Sequence, residues 1–562
     1  MTEISKETIK AYALENAVKH GGKANQNAVL AGLFAEGLEK SEIKNIIPTI
    51  LRVLNNVNAM TPEKQKEEFE ESDATTSKRE IREGLKELPN AKKNNVVMRL
   101  APFPSGALHI GNARAAVLNQ EYVKMYKGKF LLVMDDTIGS EAKQIKPEAY
   151  KLIEEGISWL GIDYDKKPIY KSDRTEMYYK YAEELLKKGY MYVCHCEQEE
   201  MHELKVKGIE CACRNLGPEV QMKRWAEMFK SKMGSMTVRL KTSMTDSDPA
   251  FRDRVMFKIS DRPHPRTKSK FRVYPSMEFS WAIDDHLFNV THVLRGIEHQ
   301  MSTRIQDFIR DIFNWGNPES IYNGLFAVEG VKISKSKGAF EVSSGTYIGW
   351  NDPRTWSLQS LRDRGIQPEA VRQFILNLGL KKTNITTPIE TLYTYNKKLL
   401  ENAPRYFFLE EPKKITIKGC PEMTAKIPLH PNNKLGNRQY ETNQNFLVTK
   451  KDADDMLSGN FRLMHLLNFK ADNTERIRIS TLSYVSTEPK PDLKPKYIQW
   501  LPADVENIDV EIMMPDGTYI YGKGEPALRR LKTGTAIQFE RFGFVNLYKK
   551  SKDKYEFWFA HK

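Results

Sequence analysis

Two stretches of this sequence put phosphate-handling residue types at glycine-bearing turns. The first is Pro102-Phe-Pro-Ser-Gly-Ala-Leu-His-Ile-Gly-Asn112, between an apolar run, VVMRLAP, and a helix-forming run, GNARAAVLNQEYVKMY. A strand–turn–helix junction of this kind points free backbone N–H groups at an anion; His109 adds a donor and Gly111 admits a nucleotide close to the backbone. Taken alone, the pattern equally describes an ordinary structural junction. The second stretch is Val331-Lys-Ile-Ser-Lys-Ser-Lys-Gly338, in which Ser334 and Ser336 interleave with Lys332, Lys335 and Lys337. Such a cationic loop suits a polyphosphate whose charge grows in a transition state. Alone, it also suits a solvent-exposed basic loop.

A third group is made of cysteines. Of five in the chain, four lie within twenty residues, as Cys194-His-Cys196 and Cys211-Ala-Cys213. Clustering of this kind is not a disulfide framework. Two C-x-C pairs can supply four thiolates to tetrahedral Zn²⁺, and His195 could substitute for one of them. The site would be structural, because four thiolates leave no open position; the alternative is a set of reduced, unliganded thiols. Cys420 stands apart and is expected in a core.

These groups need elements to hold them. Residues 1–60 read as helical, with Ile43, Ile46, Ile47, Ile50, Leu51 and Leu54 at helical spacing, Ser41 as a candidate cap and Pro48 as a start or kink. From 61 to 95 the chain is densely charged, a solvated helix or linker. VVMRLAP and KFLLVMDD read as buried strands, and 146–160 and 174–188 as helices, so a parallel sheet in an α/β domain is expected. Residues 196–270 break that rhythm as an insertion, FRVY and THVLRG resume strands, and the chain is mostly helical to about 402. Beyond it KKITIKG, FRLMHLLNF, RIRISTLSYV, VEIMMPDGTYIYGKG and KYEFWFAHK alternate, with a hairpin signal at Pro515-Asp516-Gly517. A β-barrel or sandwich module is expected there.

Length and charge agree with several domains and a polyanionic partner. At 562 residues, about three to five domains are expected. Lys plus Arg number 87 against 73 Asp plus Glu, a net charge of +14, which puts nucleic acid first among candidate partners, while charge alone describes a merely basic soluble protein equally well. The sequence has no apolar run approaching the ~18–20 residues of a membrane span, and MTEISKETIKAYALENAVKHGG lacks a secretory core, so a cytoplasmic protein is expected.

The two turn motifs lie 223 residues apart, His109 to Lys332, and flank the α/β region. Together, as HIGN and KISKS, they resemble the paired signatures of class I aminoacyl-tRNA synthetases. MRLAPFPSGALHIGNARAA, KFLLVMDDT and VYPSMEFSWAIDDHLFNVTHVLRGIEH resemble the glutamyl/glutaminyl subgroup. WLPADVENIDVEIMMPDGTYIYGKGEPALRRLKTGTAIQFERFGFV resembles the closing β-barrel of its archaeal and eukaryotic branch, and the likeness as a whole is to glutamyl enzymes of archaeal type. It runs from about residue 95 to the end.

The resemblance implies a multidomain α/β fold: a helical N-terminal extension and linker (1–92), a Rossmann-like catalytic domain in two halves (93–195 and 271–345), a zinc-bearing acceptor-binding insertion (196–270), a helical connector (346–402) and β-barrel anticodon-binding domains (403–562). It implies ligation of L-glutamate to tRNA, with ATP and Mg²⁺ consumed through an adenylate and a structural Zn²⁺ on Cys194, Cys196, Cys211 and Cys213. His109 and Asn112 are expected on the triphosphate and Lys332 and Lys335 on the leaving pyrophosphate, with Gly111, Ser334 and Ser336 completing the ATP site. Arg99, Ala101, Asp135, Met277 and Arg295 are expected around glutamate, Asp135 taking its ammonium. The expected partner is tRNA for glutamate, with a monomeric enzyme; whether tRNA for glutamine is charged as well, as by many archaeal relatives, the sequence leaves open. Arg541, Phe542 and Trp500 are candidates for reading anticodon bases, core packing being the default for the aromatics.

Three departures from the family pattern stand near the site. Asn112 replaces the motif's usual last His, Met277 stands where many relatives have Tyr, and Phe103 where other branches have Ser or Glu. A glutaminyl enzyme shares the fold, but the C-x-C pairs and Met277 argue against it. An inactive tRNA-binding homologue is opposed by both signature loops being intact.

Overall fold

A computed structural model describes residues 5–35, 38, 42–70, 84–138, 143–331, 335–432, 435–472, 481–552 and 554–562. The chain divides into two compact units, Met1–Gly84 and Leu85–Lys562.

The first unit is four helices, Lys6–Lys19, Gln26–Ala35, Ile43–Asn58 and Pro62–Glu70. Their apolar faces meet in a core of Ile9, Leu14, Val29, Leu33, Ile50, Val53 and Val57. The third helix runs through Pro48, so the proline neither starts nor ends it. Ser41, its expected cap, lies outside the described residues. The charged stretch after residue 61 is not wholly solvated. Gln65 is fully buried and donates from Nε2 to the carbonyls of Gly22 and Val57 at 2.9 and 2.8 Å, and Phe69 packs against the core.

The second unit opens on parallel strands. Val97–Leu100 pairs with Lys129–Met134, which pairs with Ile169–Tyr170. His292–Gly296 pairs in parallel with Glu319–Asn323, and Thr291 N donates to Val97 O at 3.0 Å where the two groups of strands meet. Burial on both faces accounts for the continuous apolar runs of the first two strands. Helices Ile110–Tyr126 and Pro147–Trp159 cover the sheet through Ile110, Val117, Ile153 and Ile157, and Leu358, Val371 and Phe374 close the same core.

Between these halves lies an antiparallel sheet of four strands, Met191–Cys194, Thr237–Leu240, Val255–Ile259 and Val273–Pro275. FRVY thus supplies the last strand of this sheet and not a strand of the parallel one.

The C-terminal half holds two seven-stranded sheets. In the first, the edge strands are Arg405–Tyr406 and Phe408–Glu410, which are separated in sequence by Phe407 alone. In the second, they are Lys496–Ile498 and Leu501–Pro502. One continuous stretch of chain therefore serves both edges of each sheet, which is barrel closure and removes the open edges. FRLMHLLNF is not one strand but a hairpin, Gly459–Leu463 and Asn468–Asp472, turned at His465, whose φ is +62°. The strand read as RIRISTLSYV is described from Thr481 to Ser486; its first half lies outside the described residues. Trp500 is in the second barrel's core, its Nε1 donating to Met464 O at 2.9 Å, so it is unavailable to bases. Among the described residues no helix is long and apolar enough to cross a membrane.

Candidate active site and metal centre

His109 caps helix Ile110–Tyr126. Its Nδ1 accepts from Gly111 N at 3.1 Å, which fixes the neutral tautomer and leaves Nε2 as the protonated nitrogen. Asn112 Oδ1 accepts in turn from His109 N at 3.2 Å, so the asparagine completes a reciprocal cap and retains its amide donors. A Cβ on Gly111 would lie 2.9 Å from His109 Cε1, so the imidazole's position needs glycine there. The turn before the helix is pinned from the far side: Ile110 N donates to Trp356 O and Leu358 N to Leu108 O, at 3.2 and 2.8 Å.

Trp350 relates the two signature motifs. A Cβ on Gly106 would meet its ring at 2.1 Å, and one on Gly338 would lie 3.5 Å from it. One indole thus touches the turn before His109 and the helix Lys335–Ser343 that ends the lysine motif. Lys332 and Ser334 lie outside the described residues, as do the side chains of Lys335 and Ser336.

A cleft of about 440 Å³ collects the remaining predicted residues. Arg99, Ala101, His109, Gly111, Asn112, Asp135, Met277 and Arg295 all line it. Asp135 and Asp136 divide the labour between them. Asp135 faces the cleft, where its Oδ2 accepts from Trp281 Nε1 at 3.1 Å and the fully buried Lys171 Nζ lies 3.0 Å from Oδ1. That ion pair is not aligned as a hydrogen bond, so both atoms keep bonding capacity. Asp136 is locked by Ser172 N, Ser172 Oγ and Tyr150 Oη at 2.9, 2.8 and 2.9 Å, with its carboxyl pushed up by burial.

Two arginines differ in the same way. The guanidinium of Arg99 is occupied by Asp285, from Nε to Oδ1 at 2.5 Å and from Nη2 to Oδ2 at 2.9 Å. Asp285 thus takes one edge of the fork, and the other edge, the two N–H groups of Nη1 with the second N–H of Nη2, makes no hydrogen bond among the described residues. Arg295 is held by neutral groups, donating from Nη1 to Thr303 Oγ1 and Gln306 Oε1 at 2.7 and 3.0 Å. Desolvation, followed by repulsion from Arg99, pushes it down from 12.5 to about 10. A buried cation without a carboxylate attracts one.

Trp281, Asp285 and Lys171 were not singled out from sequence. With Met277, two of them fall at positions 277, 281 and 285 of helix Met277–Leu287, one face at i, i+4 and i+8. That spacing was available in the sequence; Lys171, in a short helical turn, gave no comparable signal.

A second hollow of about 440 Å³ shares Asp135 and Met277 with the cleft and runs past Phe103 and Lys143 to Met256, Phe257 and Lys258 of the antiparallel sheet.

Beyond it, the sulfur atoms of Cys194, Cys196, Cys211 and Cys213 all lie within 4.8 Å of one another. Zn–S bonds of ~2.3 Å in a tetrahedron require S···S edges of about 3.8 Å, and Cys194 and Cys211 are 4.0 Å apart. Buried Gln221 ties the two segments together, accepting from Val193 N at 2.7 Å and donating to Cys213 O at 2.8 Å. The four cysteines therefore fit a soft divalent ion; His195 is exposed and outside the cluster.

Residues 95–402 match the family described as tRNA synthetases class I (E and Q), catalytic domain, and residues 403–485 and 497–548 match two anticodon-binding domains of the same class. The glutamate–tRNA ligase of Methanocaldococcus jannaschii is 38% identical over 559 residues, covering 99% of this chain and 100% of that protein. The glutamate–tRNA ligase of Pyrococcus abyssi is 41% identical, covering 98% of each. A solved glutamate tRNA ligase from Elizabethkingia meningosepticum aligns at a TM-score of 0.41 and 20% identity over 55% of this chain and 70% of its own, a likeness too slight to add to these. The full-length match to archaeal glutamate–tRNA ligases, on top of a cleft that gathers the predicted residues, makes this chain a member of the class I tRNA synthetases for glutamate and glutamine.

Proposed function

We propose that the chain activates L-glutamate with ATP and passes it from the adenylate to tRNA, as a glutamate–tRNA ligase. The observation that carries this is charge matching in one cleft. Arg99, Arg295 and Asp135 line the same cleft, two cations suited to the two carboxylates of free glutamate and one anion suited to its ammonium. The α-carboxylate oxygen attacks the α-phosphorus, the bond to pyrophosphate breaks, and the terminal ribose hydroxyl of tRNA then takes the glutamyl group with AMP leaving. Chemistry of this kind rests on positioning and charge stabilisation more than on a protein nucleophile.

In this reading the triphosphate, entering with Mg²⁺, meets the positive end of helix Ile110–Tyr126, with His109 Nε2 and the Asn112 amide as donors and Gly111 allowing close approach. Lys332 and Lys335 stabilise the departing pyrophosphate, with Ser334 and Ser336 beside them. Asp135 takes the α-ammonium; Arg99 and Arg295 take the carboxylates; Ala101 and Met277 form the wall. The hollow from Phe103 to Lys258 gives the acceptor end a way in from the insertion.

The domain division follows the sequence reading: extension and linker at 1–92, catalytic halves at 93–195 and 271–345, acceptor-binding insertion at 196–270, connector at 346–402 and anticodon region at 403–562. Cys194, Cys196, Cys211 and Cys213 would hold a zinc ion, whose part is to cross-link the insertion. The partner is tRNA for glutamate, with a monomer acting in the cytoplasm; charging assays with isolated tRNA for glutamine decide whether that tRNA is a second substrate. ATP–pyrophosphate exchange with glutamate and with glutamine, each with and without total tRNA, tests the reading. Exchange with glutamate that requires tRNA is expected; exchange with glutamine alone would overturn it.

A further inference from the structure

We propose that Asp285 is a positioning residue that sets amino-acid selection by holding Arg99 rigid, a role that rests on the glutamate reading of the cleft. Asp285 is 1% exposed and Arg99 7%, and the carboxylate spans Nε and Nη2 of the guanidinium in a two-point bond. The flat face of the same guanidinium lies on Trp281, with Cζ 3.5 Å from the ring centroid. Asp285 therefore fixes the group within its plane and Trp281 fixes it across the plane. Two of the five donors' directions are spent, and the direction of Nη1 follows from them.

Trp281 does more than stack. Its Nε1 donates to Asp135 Oδ2 at 3.1 Å, and Lys171 Nζ lies 4.0 Å from its ring centroid. The helix face of Trp281 and Asp285 thus orients both the cationic and the anionic partner of the substrate. Asp285 also lies 3.9 Å from Nη1 of Arg310, a nitrogen that is buried and makes no hydrogen bond among the described residues. Asp285 pairs with Arg99 and Asp307 pairs with Arg310 at 2.7 Å, so Arg295, held only by neutral groups, is the cation here with no carboxylate bonded to it. The surplus is positive, so an acid fits and a neutral amide does not. Discrimination needs donors that cannot swing: a loose Arg99 donates to the carbonyl of glutamine as readily as to an oxygen of glutamate, whereas a fixed outer edge of Nη1 and Nη2 also meets the amide's own donors.

The test is ATP–pyrophosphate exchange on the full chain with tRNA bound, titrating glutamate and glutamine, with a melting curve for each variant. Asp285→Asn keeps the shape but turns one acceptor into a donor facing Arg99. KM for glutamate should rise about 10- to 100-fold, with KM for ATP unmoved and the glutamate-over-glutamine ratio of kcat/KM reduced. In an Arg99→Ala background Asp285→Asn should add nothing, because there is then no guanidinium to hold. Asp285→Glu keeps the charge but displaces the carboxylate by a methylene, so it should lose discrimination in the same direction and to a smaller extent; it serves also if Asp285→Asn does not fold. Equal losses for glutamate and glutamine, or additive losses with Arg99→Ala, would overturn the proposal. Failure of the glutamate reading itself would show separately, as wild-type exchange with glutamine and none with glutamate.

Discussion

Replacing Arg295 by glutamine should make the protein more stable and a worse enzyme at once. The guanidinium sits at about 10 against its ordinary 12.5, which corresponds to roughly 3 kcal/mol of uncompensated desolvation and repulsion in the substrate-free fold. At neutral pH the group is charged in both folded and unfolded chains, so that cost is carried in full. It is relieved only as pH rises above about 10, where the folded state loses its proton before the unfolded state does. Glutamine removes the charge and also the bonds to Thr303 and Gln306, each a net contribution of about 1 kcal/mol. The balance is a gain of about 1 kcal/mol, a rise of about 2–4 °C in the melting of the catalytic domain. The same substitution removes a charge-assisted bond to a substrate carboxylate, so KM for glutamate should rise about 10- to 150-fold. Calorimetry and ATP–pyrophosphate exchange on one preparation give both numbers. A loss of stability together with an unchanged KM would show that Arg295 is a structural group and refute the argument from its lowered proton affinity. Arg295→Lys restores a charge but not the planar geometry, and should recover little of the affinity.

Other outcomes follow from the same geometry. Asn112→Asp keeps the acceptor for His109 N and suits a helix amino terminus, so stability should hold, while the added negative charge should raise KM for ATP about tenfold; Asn112→Ala should instead cost about 1 kcal/mol of stability through loss of the cap. Lys335→Ala should slow adenylate formation about 100-fold or more while weakening ATP binding far less, because its contact grows in the transition state; equal losses would remove it from that role. Metal analysis of protein purified without chelator should find about one zinc per chain, and Cys211→Ser should lower that content and the melting temperature of the insertion together. Zinc-free protein of unchanged stability would count against the site.

The sequence by itself carried the two turn motifs, the cysteine pairs and most of the strands and helices, though not the hairpin inside FRLMHLLNF. HIGN and KISKS, their separation and the four cysteines are local patterns, and local patterns survive being read as text. The hairpin at Pro515-Asp516-Gly517 is of that kind: Met514 N donates to Thr518 O and Gly517 N to Met514 O, at 2.8 and 2.9 Å, as the turn residues demand. So are the strands at Val97 and Lys129, because burial on both faces writes itself as an apolar run.

What only the tertiary structure decided was the partner of each charged group. Arg99 and Asp285 are 186 positions apart, and Trp281 and Asp135 are 146 apart. Nothing in the residues around Arg99 shows that one edge of its fork is already occupied, or that Arg295 has no carboxylate bonded to it. The same holds for Asn112, whose oxygen went to the helix cap, and for Trp500, which went to a barrel core. Helix and turn formation depend on residues within a few positions of one another, and spacing records them. The neutralisation of a buried charge depends on which groups folding brings within about 4 Å, and that is a property of packing that the order of residues does not carry.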